Sequence, residues 1–139
     1  MSFNIHILTA SKKIQAYEKE LRSITKSVIN AVKKKLPIRG FYIVFYNNPQ
    51  GTISEIGGVG GFTPNAHLIF ISLDPKNPNF EHALTENLFF ILAHELHHTI
   101  RWQKTVEGDS LLEALIFEGL ADHFAMEITG RKKPPAWST

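Results

Sequence analysis

The chain has 139 residues, with 43% hydrophobic and 20% charged side chains and a net charge of +2. That usage excludes a disordered or fibrous chain, and the length fits one ordinary domain, 1–139, better than two. Cysteine is absent, which excludes a disulfide framework and a thiolate metal site, so any metal must be held by His, Asp or Glu.

In chain order, Met1 to Ala10 lacks the basic and long apolar regions of a secretory signal. No stretch approaches the roughly 20 apolar residues of a membrane span. Together with the missing cysteines, this makes a cytoplasmic protein the expectation. Ile14, Tyr17, Leu21, Ile24, Val28, Val32 and Leu36 recur at three- and four-residue steps, predicting a helix from Ser11 to Leu36 that Pro37 ends. Residues 1–50 carry nine Lys or Arg against two Glu, mostly on this helix. Without interleaved aromatics or a reader motif, this excess reads as a solvated face, and neither nucleic acid nor membrane is expected as a partner.

Phe41 to Tyr46, aromatic and β-branched, predicts a buried strand in which Tyr42 and Tyr46 pack in the core, closed by a turn at Asn47 to Gly51. Gly57 to Gly61 holds four glycines and completes no phosphate-binding motif, so it reads as a flexible turn or bulge that lets backbone approach a ligand. His67 to Leu73 predicts a second strand. A helical pattern runs from about Glu81 to Trp102, and a break follows at Glu107 to Asp109. Ser110 to Glu113 has the form of a capping box, starting a helix to about Thr129 that Gly130 stops. Arg131 to Thr139 reads as an irregular tail.

The chemistry lies in His94-Glu95-Leu96-His97-His98, an instance of H-E-x-x-H. Residues four apart lie one above the other on a helix, so the imidazoles of His94 and His98 can converge on one ion. Glu95, about 100° round, can reach a water on that ion without binding it. Catalytic zinc commonly takes three protein ligands, and the third candidate is Glu118, twenty residues beyond His98 and followed by Gly119. Asp122, one helical turn on, can accept the second ring N–H of a liganding histidine. The apolar run from Leu88 to Ala93 implies a buried helix, in which uncompensated His and Glu would be costly.

This His-Glu-x-x-His…Glu-x-x-x-Asp pattern resembles that of the gluzincins, the thermolysin-like zinc metallopeptidases. The strings AHELHHTIRW and LLEALIFEGLAD resemble the predicted Zn-dependent protease family with HExxH and EGLA motifs, and the size is similar to that of minigluzincins. The resemblance implies an α+β, zincin-like fold. A short mixed or antiparallel sheet would pack on an N-terminal helix, an active-site helix and a glutamate-bearing helix. It also implies Zn2+ held by His94, His98 and Glu118, with Glu95 as catalytic base and Asp122 as the partner of His94. The expected activity is hydrolysis of a peptide or protein substrate, with the strand His67 to Leu73 as the edge that receives it. Larger gluzincins place a downstream His or Tyr on the oxyanion; here His123, Arg101 and Tyr46 are the candidates. The alternatives are a zinc-binding regulatory or protease-fragment domain without turnover, and a hydrolase of a non-peptide amide or ester.

Other residues read more plainly. His97 offers a second ligand pair with His94, but that pairing strands His98 and Glu95. His123 reads as a surface residue, His6, His67 and His82 as structural or exposed, and Trp102 and Trp137 as packing.

Overall fold

The computed structural model describes residues 3–38, 40–104 and 111–130. Strand β1 (Phe3–Ile7) leads into helix α1 (Glu18–Lys33), then β2 (Phe41–Asn47), β3 (Val59–Asn65), β4 (Leu68–Leu73), α2 (Phe80–Glu86), α3 (Leu88–Lys104) and α4 (Leu111–Thr129). The four strands form one mixed sheet in the order β1-β2-β4-β3, with β1, β2 and β4 parallel and β3 antiparallel to β4. The fold is α+β, as the sequence predicts. No helix among the described residues is long and apolar enough to cross a membrane.

Alternation along the strands gives the sheet one buried face. Phe41, Ile43 and Phe45 of β2 and Ile69, Ile71 and Leu73 of β4 are buried, and α1 and α3 cover them through Leu21, Val28, Leu92 and Leu96. The opposite face is open. Tyr42 therefore lies half exposed beside His6, with ring centroids 5.9 Å apart, and does not pack in the core as expected. Tyr46 is partly buried on that face against Phe70.

Several boundaries differ from the expectation. The N-terminal helix is shorter at both ends: Lys12 takes a left-handed φ of 61°, which breaks a helix before it starts, and the regular helix begins after a tight turn at Gln15–Tyr17. The predicted helix over 81–102 is two helices separated at Asn87, whose side chain donates to the Ile56 carbonyl at 2.9 Å. Gly57 and Gly58 do make a turn, both at positive φ, but Gly60 and Gly61 belong to β3. That strand changes the role of its neighbour. Because β3 and β4 form a hairpin and β2 occupies the far side of β4, the His67 to Leu73 segment is an inner strand, and the edge is β3. Gly130, at φ 75°, ends α4 as expected. The expected break at Glu107 to Asp109, the Ser110 cap, the tail and Trp137 lie outside the described residues.

Candidate metal centre

Helix α3 is apolar nearly all round and runs under the sheet, so the polar side chains in its middle are carried into the interior. His94, Glu95 and His98 are all buried. The four-residue spacing brings the two rings edge to face, with 3.0 Å between their Nε2 atoms. Helix α4 packs on α3 and delivers Glu118 to the same point. Its Oε2 lies 3.0 Å from His94 Nε2 and its Oε1 3.2 Å from His98 Nε2. One turn further, Asp122 Oδ1 sits 2.7 Å from His94 Nδ1, close enough to favour a proton on that nitrogen.

These contacts leave the Nε2 of a neutral His94 as a lone pair facing a second imidazole nitrogen and a carboxylate. A proton or a cation among these atoms satisfies them. In the chain alone, a proton takes that place. Burial pushes the His94 imidazole down, but the Asp122 and Glu118 carboxylates facing its two ring nitrogens, with the charges of Glu95 and Asp122, outweigh it, raising the group to about 10. Hydrogen bonds from His94 and His98 in turn hold Glu118 well below the usual carboxylate range, against the opposing effect of its burial. A divalent cation fits the same place. The candidate ligand atoms of His94, His98 and Glu118 all lie within 4.8 Å of one another. A tetrahedral zinc with ligands at about 2.0–2.1 Å holds them roughly 3.3 Å apart. The spacings of 3.0–3.2 Å approach that value. The Glu118 side chain is 59% exposed, so it closes the cluster from the solvent side.

Glu95 stands beside this group. Its Oε2 is 3.7 Å from His94 Nε2, while its Oε1 accepts a 2.7 Å hydrogen bond from the Thr63 hydroxyl on β3. Burial raises the Glu95 carboxyl, and His94, His98 and the Thr63 hydrogen bond oppose that rise. The strand can lie this close because residue 61 is glycine: a Cβ there would fall 2.7 Å from Glu95 Cγ and 2.9 Å from its Oε2. A cleft of about 300 Å³ opens above the cluster, bounded by residues 60–63 of β3 and by Ile53 and Ile91.

Thus His94, His98, Glu118, Glu95 and Asp122 are brought together. The other candidates are not. His97 is partly buried against the Phe124 ring, with centroids 5.2 Å apart, and stands outside the cluster. His123 is exposed, as are His6, His67 and His82. None of Tyr46, Arg101 and His123 lines the cleft. Trp102 does more than pack, since its indole N–H donates to the Thr63 carbonyl at 3.1 Å. Sequence reasoning missed Thr63 and the closeness of Gly61 to Glu95. Their one trace was the glycine run, read as a place where backbone approaches a ligand.

No curated protein and no solved structure matches the chain. Residues 12–139 match a family described as Predicted Zn-dependent protease (DUF2268), a span that includes every residue of the cluster. The chain belongs to that family of predicted Zn-dependent proteases.

Proposed function

We propose that the chain is a zinc-dependent peptidase of gluzincin type, with His94, His98 and Glu118 as metal ligands, Glu95 as general base and Asp122 as the group that orients His94. The observation that carries this reading is the convergence of three donors on one point, with a buried carboxylate beside it and a cleft above it. Zinc held by three protein ligands supplies Lewis acidity and makes water acidic near neutral pH. Asp122 keeps the His94 proton on Nδ1, so that Nε2 is free to ligate. Glu95 takes the proton of the attacking water as the oxygen bonds to the peptide carbonyl carbon. It then delivers that proton to the amine as the C–N bond breaks, leaving a carboxylate and an amine.

The substrate is read as a peptide or protein segment lying along the outer edge of β3, which borders the cleft. The cysteine-free composition suits a reducing, cytoplasmic compartment. One observation favours a second reading, a zinc-binding module without turnover: none of the three residues considered for the oxyanion reaches the cleft. The test is metal analysis and a peptide-library digest on untagged protein. About one zinc per chain is expected, reduced in His98→Ala and Glu118→Ala. Glu95→Gln should keep its zinc and lose cleavage. Zinc retention by a wild type that cleaves no peptide supports the module, and equal cleavage by Glu95→Gln removes the assigned base.

A further inference from the structure

Helix α3 grips one residue of β3 at two points. Glu95 and Trp102 are seven residues apart on that helix, nearly two turns, so their side chains leave the same face. The Thr63 hydroxyl donates to Glu95 Oε1 at 2.7 Å, and the Thr63 carbonyl accepts the Trp102 indole N–H at 3.1 Å. Side chain and main chain of Thr63 are thus each tied to α3. The second tie stands where the sheet gives no support. Pairing with β4 stops at Phe62 and resumes at Asn65, so Thr63 and Pro64 together oppose the single residue Ile69. Such a bulge interrupts the ladder, and Pro64 has no N–H to donate. The position of Thr63 matters because its hydroxyl carries one proton and has two acceptors in reach. Besides Glu95 Oε1, the Glu95 main-chain carbonyl lies 3.3 Å away. A small shift of the Thr63 backbone along α3 would hand the proton to that carbonyl and release the carboxylate.

We propose that Trp102 is a positioning residue for the reaction. By holding the Thr63 carbonyl it keeps the Thr63 hydroxyl on Glu95 Oε1 and off the Glu95 carbonyl, and so keeps Oε2 turned toward His94. This rests on the peptidase reading and extends the machinery two turns along α3, to a side chain that does not line the cleft. Trp102 acts only through Thr63, as a rigid donor fixed on the same helix as the base it serves.

Two substitutions on the full zinc-loaded chain separate this role from packing. Trp102→Phe keeps an aromatic ring and removes the N–H. Replacing Trp102 by benzothienylalanine keeps the whole bicyclic ring and puts sulfur where the N–H was, which guards against a folding defect in the phenylalanine variant. In both, kcat for a cleaved peptide should fall about three- to tenfold, the scale of one hydrogen bond between neutral groups, with KM and zinc content within about twofold. Added to Thr63→Val, either change should cost less than about a further twofold, because the hydroxyl that Trp102 positions is already gone. Losses that multiply in the double variant, or an unchanged kcat in the benzothienylalanine protein, overturn the proposal and leave the peptidase reading intact. A third measurement needs no turnover. In NMR exchange, the indole N–H that disappears in Trp102→Phe should exchange at least about tenfold more slowly than that of free tryptophan, and an equal rate also overturns the proposal. A wild type that cleaves no peptide removes the peptidase reading, and the positioning role falls with it.

Discussion

At the scale of single residues, the arrangement of Glu95 depends on Thr63. A buried carboxylate on a helix has two oxygens that can exchange places by rotation of the side chain, and the 2.7 Å bond from the Thr63 hydroxyl fixes Oε1, leaving Oε2 toward His94. Thr63→Val removes that donor with little change of volume. A hydrogen bond to a charged group contributes about 1.5–3 kcal/mol, so kcat should fall by about tenfold or more. KM and zinc content should stay within about twofold, and Thr63→Ser should recover most of the loss. A rise in KM alone, or no recovery by serine, argues that Thr63 only supports the strand. Gly61→Ala is a separate check on the same carboxylate. Its methyl group would stand 2.7 Å from Glu95 Cγ, so activity should drop further than in Thr63→Val while zinc is retained.

At the scale of elements, the site is a product of α3 and α4 packing. In the proposed site Asp122 bears on the metal only through His94, 2.7 Å away, which makes it a sensitive reporter of that packing. Asp122→Asn should weaken zinc binding by about 10- to 100-fold in a competition titration with a chelator, the usual effect of removing such a carboxylate. Unchanged affinity would mean that His94 is oriented by something else. These two helices were legible in the sequence because their signals are local: two histidines at one-turn spacing, and a glutamate and an aspartate at the same spacing. The strands were less so. Val59–Asn65 is rich in glycine and contains Pro64, so propensity argues against a strand, and only its pairing with β4 makes it one. Phe3–Ile7 alternates correctly, but a five-residue strand declares itself only when β2 lies beside it. The break at Asn87 was hidden because the apolar period continues on both sides of it. Misplacing the edge followed from missing β3, since β4 becomes an inner strand only once β3 is counted.

For the whole molecule, a metal bound as proposed competes with the His94 proton for one position, and this sets a pH dependence. In the metal-free protein His94 is raised from 6.5 to about 10, so its contribution to folding is fully present below about pH 6.5 and lost as pH rises toward 10. The Glu95 carboxyl is raised as well, and its contribution likewise falls as pH rises above the ordinary glutamate value. Glu118 is lowered, and its contribution holds above about pH 4.5 and is lost only in acid. Between pH 6.5 and 10, then, these groups all leave the metal-free fold less stable or unchanged as pH increases. Zinc binding runs the other way, because the metal must displace the proton shared by His94, and displacement grows easier as protons become scarce. The apparent zinc affinity should therefore rise by up to about tenfold per pH unit between pH 6.5 and 9. Calorimetric titrations in buffers of differing ionisation enthalpy should show close to one proton released per zinc at pH 7.5. The gap in Tm between zinc-loaded and metal-free protein should widen over the same range, since the two curves move apart. A gap that stays constant from pH 6.5 to 9, with no proton released, would place the metal away from His94 and dissolve the link between the buried cluster and the fold.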